Sequence, residues 1–381
     1  MHAMMLLADG TVFHGEAIGA AGEVYGEVVC HTSMTAYPEV LTDAACKDDI
    51  VVFTYPLIGN IGVPAEDGEY SRPQVKGVVA GEICTKPSNW RTVDRLEDYL
   101  LTHGVPAVTG IDTRALSRHL RRNGTMRGAI VCGDTPPEAV LARLREEADD
   151  PARDLIASVT PAAPYVYHKG SGRRGHVVVV DCGATRRVLS VLSAGDYRVT
   201  VVPAYTAAEE LLAFSPDGVI ITDGPGDPKA AAPLVETTRR LLGQRPLFGF
   251  GLGQLIIALA LGADTYKLKY GHRGANHPVE DLAAGRVFIT SQNHGFAVKE
   301  GTLPAGITVS HVNLNDGTIE GFFHEQCPVF AVQFFPEAAM DQGAGPAWRG
   351  DLFNRFLAAT GERKQKRELG GSGIVATFLP S

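Results

Sequence analysis

Pro246-Leu247-Phe248-Gly249-Phe250-Gly251-Leu252-Gly253 runs directly into Gln254-Leu255-Ile256-Ile257-Ala258-Leu259-Ala260-Leu261. A short apolar run, glycines at 249 and 253, and an apolar helical run spell strand, sharp turn and helix, the layout of a nucleophile elbow. The flanking glycines let strand and helix approach closely. The residue between them stands at a helix N-terminus, where free N–H groups and the helix dipole favour an anion and lower a thiol pKa. That residue is Gly251, which has no side chain. Taken alone, the stretch also reads as a glycine-rich turn that binds nothing.

Outward from it the same pattern repeats. His176 to Val180, Arg198 to Pro203 and Gly218 to Thr222 are short β-branched runs, and helical stretches such as Ala207 to Ala213 and Ala230 to Leu242 separate them. Continuous apolar strands alternating with helices imply buried parallel strands and a doubly wound α/β sheet. Val287 to Thr290, Ile307 to Val312 and Val329 to Phe334 follow without long helices between them, and either extend the sheet or form a second layer. Asp351 to Ala359 reads as a closing helix.

Ligands in such sheets bind at the carboxyl ends of strands. Besides the elbow, three loops fall there. Thr222-Asp223-Gly224-Pro225-Gly226-Asp227-Pro228 is a tight turn with N–H groups free to face a ligand. The others are Ser291-Gln292-Asn293-His294-Gly295-Phe296-Ala297-Val298 and Val332-Gln333-Phe334-Phe335-Pro336-Glu337-Ala338. His294 by itself reads as a hydrogen-bonded structural histidine. None of the twelve histidines has metal-ligand spacing, so no metal site is expected.

The first 166 residues mix β-like runs (Gly26 to Cys30, Ile50 to Tyr55) with helices at Leu96 to Thr102 and Thr113 to Arg121, the second capped by Asp112. The polar, glycine-rich stretch 167–175 reads as a linker, and 176–360 as a second domain. From Gly361 a charged run, a Gly-Ser segment and an apolar end (Ile374 to Leu379) read as a flexible tail, 361–381, either disordered or docking on a partner. A chain of 381 residues accommodates about two or three domains. A net charge of −8 without a long basic block does not suggest nucleic-acid binding. Cys30, Cys46, Cys84, Cys132, Cys182 and Cys327 are scattered, with no CxxC pair, and read as reduced thiols of a cytoplasmic protein. Neither a signal peptide nor a membrane-spanning run is apparent, so no membrane partner is expected.

Read in order, these stretches resemble the small subunit of carbamoyl-phosphate synthetase, from near Leu6 to near Leu357. The second half resembles class I glutamine amidotransferases. Thr222 to Pro228 is similar to SNGPGDP, Lys267 to Pro278 to KMKFGHHGGNHPV, and His311 to Thr318 matches HVNLNDGT. The first half is more diagnostic: Gly26 to Thr35 resembles GEVVFNTSMT and Thr54 to Asn60 resembles TYPHIGN, while Ser88 to Arg91 and Ile111 to Arg114 also fit. The resemblance implies a mixed α/β small-subunit domain, then a class I amidotransferase-like domain. It further implies a large synthetase subunit as partner. In that family a Cys-His-Glu triad hydrolyses glutamine, and the ammonia passes to the large subunit, where carboxyphosphate forms from bicarbonate and ATP. ATP, bicarbonate and Mg are therefore expected on the large subunit, and no cofactor on this chain.

The departures fall on the chemistry. The family elbow GxCLGHQ reads Gly249 to Leu255, so Gly251 stands at the cysteine and Leu255 at the substrate-holding glutamine. HPE reads Phe335-Pro336-Glu337, with Phe335 at the general-base histidine. DPSY reads Asp43-Ala44-Ala45-Cys46, with Ala45 at the substrate-contacting serine. Retained are Glu337, the oxyanion-type backbone of Gly224 and Leu252, and the pocket residues Gly226, Asn293, Gly295 and Phe296. Leu255 and Phe335 are expected to make the pocket smaller and more apolar. A thiolate and a proton-shuttling imidazole are both required for the glutamyl thioester, so glutaminase activity is expected to be absent. Three readings stay open: a subunit supporting ammonia-dependent synthesis, a pseudoenzyme paralogue serving another partner as a binding or regulatory module, and a hydrolase with another nucleophile. Cys46 lies near a pocket position but without elbow geometry. The pathway served, pyrimidine, arginine or a specialised one, is open.

Overall fold

The structure, a computed structural model, describes residues 1–146, 153–324, 326–336 and 351–368. The chain divides into two compact units, Met1–Pro151 with Leu268–Ala275, and Ala152–Lys267 with Asn276–Ser381.

The first unit is built on a closed barrel of seven strands, in the order His2–Leu7, Met126–Cys132, Glu23–His31, Asp49–Phe53, Gly77–Val79, Pro106–Thr109, Val12–Gly19. Closure leaves no exposed sheet edge. Alternation along the strands sorts their side chains. Ala3, Met5, Val28, Ile50, Val52, Val79, Val108 and Ile130 meet in one cluster, which the helix Thr113–Asn123 joins through Leu116 and Leu120. Val29, Val51, Val78 and Ala107 point the other way, against Tyr37, Leu41, Leu96 and Leu100. The expected cap is present, with the Asp112 carboxylate accepting the Ala115 N–H at 2.9 Å. Barrel closure itself was not expected from the sequence.

The second unit holds a ten-stranded sheet. Arg198–Pro203, His176–Asp181, Gly218–Ile221, Leu247–Phe250 and Val329–Val332 lie side by side and parallel. Every residue of His176–Asp181 is buried, because both faces of the sheet are covered. Val178, Val180, Val219 and Ile221 pack under Ala208–Ala213, Ala232–Leu241 and Leu252–Ala260. Val177, Val179, Ile220 and Phe248 face Val188 and Leu192 of Arg186–Ala194, and Phe353 and Phe356 of Asp351–Glu368. This is the doubly wound arrangement. The later strands extend the same sheet: Ile319–His324 runs antiparallel to Val329–Val332, and Ile307–Asn313 antiparallel to Ile319–His324.

Two expected boundaries differ. The chain joins the second unit well before residue 176. Ile156 sits in that unit's core. The Thr160 hydroxyl donates to the Asp181 carbonyl at 2.7 Å and accepts the Ala204 N–H at 2.8 Å. Tyr165–His168 is an edge strand antiparallel to Arg198–Pro203, and the Ser171 N–H is held by Asp196 at 2.8 Å. The segment looked like a linker because an edge strand on the surface keeps polar and glycine residues. The expected tail also begins later. The closing helix continues to Glu368, where Arg367 pairs with the buried Asp217 at 3.0 Å and Lys364 with Glu368 at 3.3 Å. Residues 369–381 lie outside the described residues. None of the six cysteines is in a disulfide. Among the described residues, no helix is long and apolar enough to cross a membrane.

Candidate functional site: an elbow with a buried carboxylate

Strand Leu247–Phe250 turns into helix Leu252–Ala260 through a single residue, Gly251, at φ +55° and ψ −120°. A side chain there would be strained, since L residues avoid positive φ. The turn is anchored by the Gly251 N–H, which donates to the Val332 carbonyl at 3.0 Å. The helix lies so close to the sheet that a Cβ on Gly253 would run into the Ile221 carbonyl oxygen. The glycine spacing therefore has the physical role expected of it.

Asp223 follows the neighbouring strand Gly218–Ile221 and is 4% exposed. Its Oδ1 accepts the Gly224 N–H at 2.8 Å and the Leu252 N–H at 2.8 Å. Those are the two backbone donors that the resemblance assigns to an oxyanion. The carboxylate also fills the space above the turn, where a Cβ on Gly251 would overlap it. The Thr222 hydroxyl accepts the Cys182 N–H at 2.9 Å and donates to the Asp223 carbonyl at 3.0 Å, which pins the loop. The two N–H donors form an anion site of the helix-N-terminus kind, and the carboxylate of Asp223 already sits on both of them. Sequence reasoning missed Asp223. The signal was present, because SNGPGDP has Asn where this chain has Asp.

The remaining expected residues are placed as follows. The Phe335 N–H donates to the Ser291 carbonyl at 3.0 Å, and the Val332 carbonyl takes the Gly251 N–H, so the elbow, the Val332–Phe335 segment and the start of 291–296 converge. Asn293 is buried in strand Arg286–Val298, with Gly295 and Phe296 partly buried beyond it. Gly226 is exposed at φ +93°. Leu255 and Phe335 do not form one apolar lining. Leu255 is 2% exposed in the core beneath the elbow helix, whereas Phe335 packs against the cluster on the opposite face of the sheet. A helix residue and a post-strand residue reach different layers, which their place in a motif does not reveal. Ala45 belongs to the first unit, in the short turn Ala44–Cys46, where its N–H is held by Asp43 at 2.9 Å. Glu337 lies outside the described residues.

His294 has a hydrogen-bonding oxygen beside each ring nitrogen, and its ring lies within 4.8 Å of ligand atoms of His272 and Glu320. Its Nδ1 faces the Phe296 carbonyl at 2.8 Å and its Nε2 the Gln292 amide oxygen at 3.1 Å. Gln292 in turn donates to Glu320 at 3.0 Å, which Asn313 and Thr318 also bond, each at 3.2 Å. Glu320 is 0% exposed, and these donors compensate a carboxylate that burial alone would make costly. The shared residues Gln292, Asn313 and Thr318 thus build a polar core. Beside the elbow, the wholly buried Cys182 thiol is pushed well up, first by desolvation and then by the nearby Asp181 and Asp223, so it is a poor nucleophile.

The family of the carbamoyl-phosphate synthase small chain, CPSase domain, matches residues 5–130, and the class-I glutamine amidotransferase family matches residues 178–351. The chain is 51% identical over 358 residues to a carbamoyl phosphate synthase small chain from Symbiobacterium thermophilum, covering 92% of this chain and 97% of the relative. It is 46% identical to one from Syntrophotalea carbinolica, covering 96% and 100%, and 44% identical to one from Bacillus cereus, covering 97% and 98%. A barrel unit followed by a doubly wound unit with an elbow, matched end to end at this identity, means that the chain belongs to the carbamoyl-phosphate synthase small-chain family.

Proposed function

We propose that this small subunit does not hydrolyse glutamine and instead supports ammonia-dependent carbamoyl phosphate synthesis by a large subunit. The observation that carries the proposal is the apex of the elbow, where Gly251 offers no thiol and a carboxylate occupies the space. Phe335, at the general-base position, has no proton to shuttle. Attack on the glutamine amide needs a nucleophile, a base and an open pair of oxyanion donors. The first two are missing at positions 251 and 335, and the third is taken by Asp223. The scaffold shared with small-chain relatives speaks for retained docking, because a subunit contact of about 1,000 Å2 or more depends on surface and shape rather than on the elbow. ATP, bicarbonate and Mg would be bound by the large subunit.

The test is co-expression with the cognate large subunit, followed by carbamoyl phosphate assays with ammonium or glutamine as nitrogen source. Co-elution with product from ammonium alone is the expected result. Glutamine-dependent product near an ordinary turnover of about 1 per second or more would overturn it. Separate elution of the two chains at micromolar concentration would favour the paralogue that serves another partner.

A further inference from the structure

We propose that Asp223 is the internal occupant of the elbow's anion-binding donors, closing the site from within. The occupancy rests on geometry. The reading of Gly251 as the former nucleophile position enters only in saying what is excluded.

Four observations converge on this residue. One oxygen, Oδ1, accepts both the Gly224 and Leu252 N–H groups at 2.8 Å, although Leu252 is 29 residues away on another element. Hydrogen bonds to a carboxylate are about twice as strong as neutral ones. The side chain is also almost wholly buried at 4% exposure, where an ionised carboxylate persists only with such donors around it. The nine-residue helix Leu252–Ala260 begins at the same oxygen and adds the positive end of its dipole. Finally, the carboxylate and a side chain at 251 exclude one another sterically. An aspartate at 223 and a glycine at 251 therefore form a matched pair. With the donors satisfied internally, an incoming acyl oxygen finds none to polarise it. The elbow keeps its shape because the buried N–H groups are never left unpaired.

Two readouts test the proposal, neither involving glutamine, ammonia or a large subunit; if they fail, the proposed function still stands on the missing thiol and imidazole at 251 and 335. In the first, thermal unfolding of wild type, Asp223→Ala and Asp223→Asn is followed with and without sodium formate. Asp223→Ala should melt lower and be raised saturably by formate, by about 2–4 °C. Wild type and Asp223→Asn should not respond, because an oxygen already fills the position. An alanine variant as stable as wild type, or one indifferent to formate, would overturn the proposal. If Asp223→Ala does not fold, amide proton shifts in glycine- and leucine-labelled wild type and Asp223→Asn decide. Loss of the charge should move the Leu252 resonance upfield together with that of Gly224. An unmoved Leu252 resonance would sink the idea, since only a bond to residue 223 links the two.

Discussion

The carboxylate of Asp223 occupies the space into which a side chain on Gly251 would project, and the two residues cannot both be large. The relationship joins two loops that are 28 positions apart in the chain but adjacent at the ends of neighbouring parallel strands, Gly218–Ile221 and Leu247–Phe250.

Gly251→Cys is expected to destabilise the protein without restoring hydrolysis. The new Cβ meets Asp223 and must adopt φ +55°, each costing about 1–3 kcal/mol. The thiol would also lack a base and open oxyanion donors. Thermal melts and glutamate release measure the two effects. Full turnover from this single change would show that the pocket is less altered than its geometry indicates. Changing Gly251→Cys, Phe335→His, Leu255→Gln and Ala45→Ser together should do better, and best with Asp223→Ala added, which frees the two N–H donors.

Gly253→Ala is expected to be more damaging than an ordinary helix substitution, although alanine is the better helix former. Its Cβ would be driven into the Ile221 carbonyl, part of a packed parallel strand with no room to retreat. Overpacking of this kind costs about 1–3 kcal/mol. A lower melting temperature or loss of soluble protein is the expected outcome, and a melt equal to wild type would contradict the close approach of helix and sheet.

His176 should make stability fall on acidification. Its imidazole is pushed down to about 4 from the usual 6.5, chiefly by burial and then by the Arg198 charge, with Arg367 adding to the shift and the Phe214 carbonyl opposing it. Its ring also bonds the Thr200 hydroxyl at 2.8 Å. Between those two values the unfolded chain binds a proton that the folded one refuses. The contribution is therefore full above about pH 6.5 and is lost as pH falls toward 4. Melting temperatures measured across that window should slope less in His176→Gln than in wild type. Parallel curves would assign the acid sensitivity to other groups.

Cys182 should resist thiol reagents in the native state. It is wholly buried and its pKa is raised, so both access and thiolate are lacking. Peptide mapping after brief exposure to a maleimide should find the partly exposed Cys84 and Cys132 modified well before Cys182. Equal labelling would mean that the elbow side of the sheet opens readily.

Four of the parallel strands of the second unit were legible because burial on both faces demands unbroken apolar runs, as in His176-Val177-Val178-Val179-Val180. The elbow was legible because close strand-to-helix approach leaves little choice but glycine at 249 and 253. The Asp112 cap was legible because capping is settled within one turn of chain. Other features depend on partners distant in sequence. The barrel is closed by pairings such as His2–Leu7 with Met126–Cys132, which no local pattern encodes. Tyr165–His168 becomes a strand only because Arg198–Pro203 offers it an edge. The charged run after Gly361 extends a helix already seated by Phe353 and Phe356 on the sheet. In the same way, sequence alone determined that residue 223 is an aspartate in a tight turn beside a glycine-tipped elbow. Tertiary packing decided that its carboxylate reaches the Leu252 N–H, because only the side-by-side alignment of two strands brings the turn and the helix start within hydrogen-bonding distance.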